Sequence, residues 1–220
     1  MCAGHVLAAQ NASSSDDIES LASRAAATKA AGQTEATFPS RGVTYPVVSR
    51  GLNRALSDFT VIVGTPSTKQ TVIKDGSSLA TWYSIKIKQV IVEHPCKMCA
   101  LLTTAGLPPS LQPNKLLPVP PQSMLLIRRG GTTNIDGVNV TETEKGLAEL
   151  TLGKEYLFVV DKASSGIARL VLNDAGLFVV GENGETLTPI TGTNNGKAGG
   201  FPTLSDLRKN AQTVTEQSKK

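Results

Sequence analysis

The chain has 220 residues, a net charge of +4 and a hydrophobic share of 40%, which fits one globular domain or a small pair of domains. No stretch reaches the roughly 18 consecutive apolar residues that a membrane-spanning helix needs, so no transmembrane segment is predicted. Lys and Arg are spread along the sequence, which is typical of solubilising charge and speaks against an extended nucleic-acid surface.

Large apolar side chains are concentrated between residues 44 and 190. We therefore predict a flexible N-terminal segment over 1–43, a β-barrel domain over 44–190 and a polar C-terminal tail over 191–220 with a short helix near Ser205. Residues 13–30 favour a helix, but its apolar face consists of Ile18, Leu21 and alanines. Such a thin face predicts a frayed helix or a tether.

The first ten residues end in Leu7-Ala8-Ala9-Gln10, small residues of the kind found at signal-peptidase sites, although a charged start and a full apolar run are missing. An export signal truncated by a misplaced start codon and an ordinary N-terminus are both compatible with this pattern. We expect a periplasmic or extracellular protein, or a cytoplasmic one if no upstream signal exists.

The first predicted strand covers residues 59–63, and Gly64, Thr65 and Pro66 predict a bend or bulge after it. Residues 71–74 continue the pairing, with a turn at Asp75-Gly76.

Residues 82–88 show the clearest alternation in the chain, with Tyr83, Ile85 and Ile87 on one side and Ser84, Lys86 and Lys88 on the other. The apolar run 90–92 breaks this alternation and indicates a bulge or burial on both sides.

A segment rich in cysteine and proline follows at residues 94–121. Its second half contains six prolines, which exclude both a helix interior and a central strand. The segment is therefore predicted to be a long surface loop, and ordered loops of this length often carry function.

Short apolar runs resume after this loop and are separated by glycine turns. The predicted strands cover 124–129, a hairpin around Asp136-Gly137, 156–160, 168–172, 177–180 and a last strand near Leu187. The pattern predicts a mainly β fold, namely a small antiparallel barrel or a sandwich of about seven strands with short flanking helices and flexible termini.

Cys96 and Cys99 form the one motif in the chain with recognisable chemistry. Their spacing is compatible with a disulfide that closes the loop, with a redox pair, with two zinc ligands or with two free thiols. No βαβ pattern surrounds the pair, and zinc would need further ligands beyond His94. We expect the disulfide, and we predict no metal and no cofactor.

Catalytic signatures are absent from the sequence. It has no Gly-x-Ser-x-Gly, and neither of its two histidines falls in a predicted core element. Glu142 and Glu144 are expected on a solvated hairpin edge. We therefore predict no catalytic residue and no enzyme.

Several of the strands resemble a loosely defined group of uncharacterised exported bacterial proteins. The matching segments are 56–64, 81–87, 130–138, 153–160 and 175–179. The resemblance implies an OB-like barrel, similar in outline to the netrin-like modules of metalloproteinase inhibitors. Those inhibitors act through an N-terminal cysteine, which Cys2 beside the initiator Met does not match, so no functional residue is carried over.

The function expected from these features is that of an exported β-barrel module that is structural or binds another protein through the 94–121 loop. Two alternatives remain open. One is a module that binds single-stranded nucleic acid through Trp82, Lys86 and Lys88. These residues occupy even-numbered positions of one strand and could therefore share one face. The other is a thiol-disulfide redox protein that uses Cys96 and Cys99. The oligomeric state is not predicted.

Overall fold

A computed structural model describes residues 20–39, 56–74, 76–97, 122–143, 149–162, 166–171, 176–190 and 203–217, with the side chains of the last range described to residue 213. The fold is mainly β. Its elements in chain order are α1 Leu21–Ala30, β1 Glu35–Pro39, β2 Thr60–Lys74, β3 Ser78–Val92, β4 Ser123–Arg129, β5 Gly131–Ile135, β6 Val138–Thr143, β7 Tyr156–Lys162, β8 Ile167–Leu170, β9 Leu177–Val180, β10 Leu187–Pro189 and α2 Leu204–Gln217.

Seven strands form the larger sheet, in the order β10-β9-β7-β2-β3-β4-β8, and an additional pairing joins β7 to β8. The strands β7, β2, β3, β4 and β8 are thereby paired in a ring. The closure is uneven because one edge of β7 is shared, its first half pairing with β9 and its second half with β8.

The long strands β2 and β3 pair over most of their length, with register shifts at Val61/Ile62, Val63/Gly64 and Pro66/Thr68. Each shift places an extra residue on one strand, which bends the pair and raises its twist. The irregularities predicted at Gly64–Pro66 and at 90–92 are confirmed by these positions.

The expected antiparallel arrangement needs a correction, because β4 pairs with β8 in parallel and β1 pairs with β6 in parallel. The first of these has a geometric cause. Strand directions in a ring can alternate throughout only if the number of strands is even, so a ring of five must contain at least one parallel pair.

Hydrophobic side chains cover both faces of the ring near β2 and β7. Ile62 and Phe158 point into the ring and pack with Tyr83, Met124 and Leu126. Their neighbours point outward and pack under α2, in a second cluster that includes Val61, Val63, Leu157, Val159, Leu204 and Leu207. Burial on both faces explains why β2 and β7 have continuous rather than alternating apolar runs.

Strands β1, β6 and β5 form a separate three-stranded sheet. Its hairpin turns at Asp136 and Gly137, both with positive φ, which confirms the predicted Asp-Gly turn. Leu21 and Ala25 of α1 are buried against Val138 and Val140 of this sheet.

Residues 20–39 of the N-terminal segment are thus more firmly attached than the sequence indicated. The predicted frayed helix or tether is a packed helix followed by a strand, β1, that was not predicted. The C-terminal helix is confirmed near its expected start, and Leu204, Leu207 and Ala211 bury it in the core instead of leaving it in a polar tail. The predicted domain boundary at 43/44 lies outside the described residues, and the one at 190/191 coincides with the end of a described range, so neither is tested.

Strand β5 begins at Gly131, where the chain passes close to β3. Its φ is 129°, and a Cβ there would lie 2.1 Å from Thr81 Oγ1 and 2.7 Å from Thr71 Oγ1. Gly131 therefore allows the corner between the two sheets to close.

We predict that Gly131→Ala lowers the free energy of unfolding by about 2–4 kcal/mol, because backbone strain and the collision with Thr81 add. Gly137→Ala is the matched control: its φ of 89° is also positive but its surroundings are open, so it should cost only about 1–2 kcal/mol. Urea unfolding followed by Trp82 fluorescence measures both. Equal losses of stability in the two variants would show that the close approach of Gly131 to Thr81 is not important.

Candidate functional site

Residues 94–97, called the loop base below, begin the proline-rich segment and are bound tightly to the barrel. The amide of His94 donates to Thr60 Oγ1 at 3.0 Å, and that hydroxyl donates to the carbonyl oxygen of His94 at 3.2 Å. Thr60 itself is buried at the start of β2. This reciprocal pair fixes the backbone where the chain leaves β3.

The imidazole of His94 is also engaged, with Nε2 2.7 Å from the carbonyl oxygen of Leu56. A carbonyl oxygen only accepts hydrogen bonds, so Nε2 must carry the hydrogen in this contact. A protonated Nε2 cannot ligate a metal at the same time. The contact fixes the orientation of the His94 ring and excludes Nε2, although not Nδ1, as a metal ligand.

Lys97 ends the loop base and makes three contacts, one with β7 and two with the residues that directly precede β2. Its amide donates to Asp161 Oδ1 at 2.9 Å, and Asp161 is only 2% exposed. Its ammonium lies 2.6 Å from Asp58 Oδ1 and 5.3 Å from the centre of the Phe59 ring. The buried Asp161 contact is expected to contribute more than the solvent-exposed ion pair.

The other end of the segment is attached to β3 as well, since the amide of Ile87 donates to the carbonyl oxygen of Gln122 at 2.9 Å. Gln122 has a positive φ of 59°. Both ends of the 94–121 loop are therefore fixed on the ring, although residues 98–121 lie outside the described part of the chain.

The predicted disulfide between Cys96 and Cys99 stays a prediction, because Cys99 and Cys2 are not among the described residues. Cys96 itself sits in the loop base, between His94 and Lys97.

The residues suggested for nucleic-acid binding do not share one surface. Trp82 is 0% exposed, whereas Lys86 is exposed and Lys88 forms a surface ion pair with Glu155 at 2.6 Å. Alternate positions of β3 do not predict exposure here, because every residue from Leu79 to Ile85 is buried. Exposed residues alternate with partly buried ones only after Ile85. Trp82 offers no ring face on which a base could stack.

A second feature was missed from the sequence: a polar cavity of about 110 Å³ where the ring meets the three-stranded sheet. It is called the polar cavity below. It is lined by Thr81 and Tyr83 of β3, Arg128 of β4, Gly131 of β5, and Thr141 and Glu142 of β6.

The expectation that Glu142 is solvated is wrong, because this residue is buried with only 7% of its surface exposed. Its Oε2 accepts the amide hydrogen of Leu79. A signal for this was present in the sequence, because Glu142 has the same parity as Val138 and Val140, whose side chains face the interior. Glu144 lies outside the described residues.

The ring side of the cavity also carries polar side chains. Arg128, 7% exposed, follows Met124 and Leu126 on the inner side of β4. Burial raises the pKa of the Tyr83 phenol, while the nearby Arg128 guanidinium opposes this shift. The phenol is therefore neutral around pH 7, and the fixed charges of the cavity come from Arg and Glu.

Comparison of the chain with models of protein families, with curated proteins and with solved structures found no match. Within the described ranges, no three His, Cys, Asp or Glu side chains are grouped so that they could hold a metal ion. In the same part of the chain, none of the helices combines the length and the apolar character that crossing a bilayer requires.

We predict that Asp161→Ala lowers the free energy of unfolding by about 1–3 kcal/mol, because it leaves the part-buried amide of Lys97 without its acceptor. Lys97→Met is the control. It keeps that amide and removes only the exposed ion pair and the contact with Phe59, so it should cost no more than about 1 kcal/mol.

Both variants are measured by urea unfolding and by hydrogen exchange at the Lys97 amide. Faster exchange is expected in Asp161→Ala alone. Exchange that is equally fast in both variants would contradict a loop base fixed through Asp161.

Proposed function

We propose that this protein is a non-enzymatic binding module, built on an OB-like barrel, that recognises another protein through the 94–121 loop. The observation that carries the proposal is the loop base, where part-buried hydrogen bonds to the buried side chains of Thr60 and Asp161 fix the start of the loop on the barrel. A rigid scaffold that presents an irregular loop is a common arrangement for binding surfaces.

The strand pairing supports the OB-like assignment. Five strands are paired in a ring, and β8 returns to lie between β4 and β7. An OB-fold is a five-stranded, partly open Greek-key barrel, and such barrels use their loops and one sheet face for binding. The hairpin β5–β6 and strand β1 are additions beside this ring.

The composition of the loop supports recognition of a partner. Its six prolines between residues 107 and 121 restrict the backbone before binding, so less conformational entropy is lost when a complex forms. Apolar residues alternate with these prolines, as in segments that dock extended onto protein surfaces. We assign no catalytic residue and no cofactor.

We further propose that the protein is exported and that Cys96 and Cys99 are linked in its native compartment. Trypsin cleaves after Lys97, between the two cysteines, and after Lys88 and Lys115. A digest of native material without reductant should therefore contain peptides 89–97 and 98–115 joined as one species that separates on reduction.

Material from Cys96→Ser serves as the control, in which the same two peptides should always be separate. Freely alkylated thiols in the wild-type digest, or a link from either cysteine to Cys2, would contradict the pairing. Fractionation of the source cells in the same experiment tests export.

The binding role is tested by replacing residues 98–121 with a Gly/Ser linker of the same length. A partner cross-linked to the wild-type protein in the source cells is purified, and its affinity is measured for both forms. The replacement should weaken binding by at least about a hundredfold, as expected when the central residues of an interface are removed.

A matched variant replaces only the six prolines with alanine, which keeps the length and most side chains. We expect intermediate binding, because the more flexible loop loses more entropy on ordering. A second control, Gly137→Ala on the distant β5–β6 turn, should bind normally. Unchanged affinity after loop replacement would refute the proposal.

A further inference from the structure

The outer face of β3, β4 and β8 carries a buried patch that the described helices do not cover. Ser84 of β3 lies opposite Leu125 of β4, which lies opposite Ile167 of β8. Together with Trp82, two residues before Ser84, these side chains form what we call the outer patch, and each is at most 1% exposed. Their neighbours along the strands point into the ring. Helix α1 packs on the three-stranded sheet and α2 over β2 and β7, in clusters that include none of the four.

Two polar atoms of the outer patch are buried without a partner. In the described part of the chain, neither Trp82 Nε1 nor Ser84 Oγ makes a hydrogen bond. An indole N–H can only donate, and a hydroxyl can donate as well. Because a buried donor without an acceptor is costly, we expect the layer over the patch to provide acceptor oxygens.

The two ends of the proline-rich segment lie on either side of the patch. Asp161 of β7 points outward, because Val160 before it points into the ring, and it holds the amide of Lys97. Gln122 directly precedes β4. Strand β8 lies between β4 and β7, so the ends are about two strand spacings, or about 10 Å, apart. Residues 98–121 therefore have ample length to pass over the outer patch.

The composition of this segment fits a buried position against such a patch. Residues 98–121 contain six leucines, six prolines and a single charged residue, Lys115. Proline-rich chains in the polyproline II conformation leave their carbonyl oxygens without internal hydrogen bonds and dock on surfaces that contain aromatic side chains. Residues 40–55, which also lead to the loop base, contain three arginines and are less suited to an apolar cover.

We propose that residues 107–121 dock in an extended conformation across the outer patch of their own barrel, where their carbonyl oxygens accept hydrogen bonds from Trp82 and Ser84. The consequence for binding rests on the function proposed above. A partner that recognises the loop must first release it, so the apparent affinity is lowered in proportion to the released fraction. The docking itself requires no partner.

The test uses Trp82 as the reporter, since it is the single tryptophan of the chain. In the full-length protein, residues 107–121 are replaced with a Gly/Ser linker of the same length. We expect the Trp82 emission to shift to longer wavelength and acrylamide quenching to rise several-fold. A synthetic peptide of residues 107–121 should reverse both changes saturably, with a dissociation constant in or below the millimolar range. This reversal distinguishes an uncovered patch from a misfolded barrel.

Two controls identify the segment and its conformation. Replacement of residues 40–55 with a Gly/Ser linker should leave Trp82 protected from acrylamide. A peptide in which the prolines of 107–121 are changed to alanine should bind at least several-fold more weakly, because it is not held in the extended conformation before docking. Leu117→Asp in the otherwise intact chain is a milder variant, and it should raise quenching of Trp82 about twofold or more because it places a charge against the patch.

Three results would overturn the proposal. The first is a Trp82 that stays protected after replacement of 107–121 and in Leu117→Asp. The second is exposure of Trp82 only when residues 40–55 are replaced, which would make that stretch the cover. The third is exposure that the 107–121 peptide does not reverse. Because all these measurements are made without a partner, their failure leaves the proposed recognition through the loop standing, and failure of that recognition leaves the docking standing.

Discussion

The antiparallel pair of β2 and β3 determines the position of nearly every other element. Each strand has fifteen residues, and together they contact β7 on one side and β4 on the other. The three register shifts bend the pair, and this curvature allows β8 to close the ring between β4 and β7. A straight pair of this length would leave an open sheet with two exposed edges.

The same pair separates the two candidate sites. The loop base is attached near Thr60, at the start of β2, whereas the polar cavity lies beside Thr71 and Thr81 near the β2–β3 turn. Eleven residues from Thr60 to Thr71 at about 3.3 Å each span up to roughly 35 Å. Occupation of one site is therefore not expected to obstruct the other directly.

Local patterns predicted most of the strands and their turns. The Asp136-Gly137 turn and the alternation beyond Ile85 depend on neighbouring residues only, and the structure contains both. Strand β1 was missed because it is short, polar at alternate positions and ends at Pro39. Its partner β6 is distant in the chain, and no local pattern encodes a parallel pairing of that kind.

The two candidate sites also differ in whether local sequence patterns could predict them. The 94–121 segment could be predicted as a loop because cysteine and proline have strong local effects on the backbone, and the structure describes only its first residues, 94–97. The polar cavity could not be predicted, since it arises where β3, β4, β5 and β6 meet and its charged residues are ordinary in sequence. The parity of Glu142 with Val138 and Val140 was a usable signal, but a carboxylate at a strand end is usually solvated.

The parallel pairing of β1 with β6 has a consequence for the order of events during translation. Glu35 pairs with Asn139, so the ribosome produces the first strand long before its partner exists. At about 5–20 residues per second, the wait for these hundred or so residues is on the order of 5–20 s. Throughout that interval Leu21 and Phe38 lack their native packing surface, and the nascent chain depends on its polar composition, or on a chaperone, to stay free of aggregation.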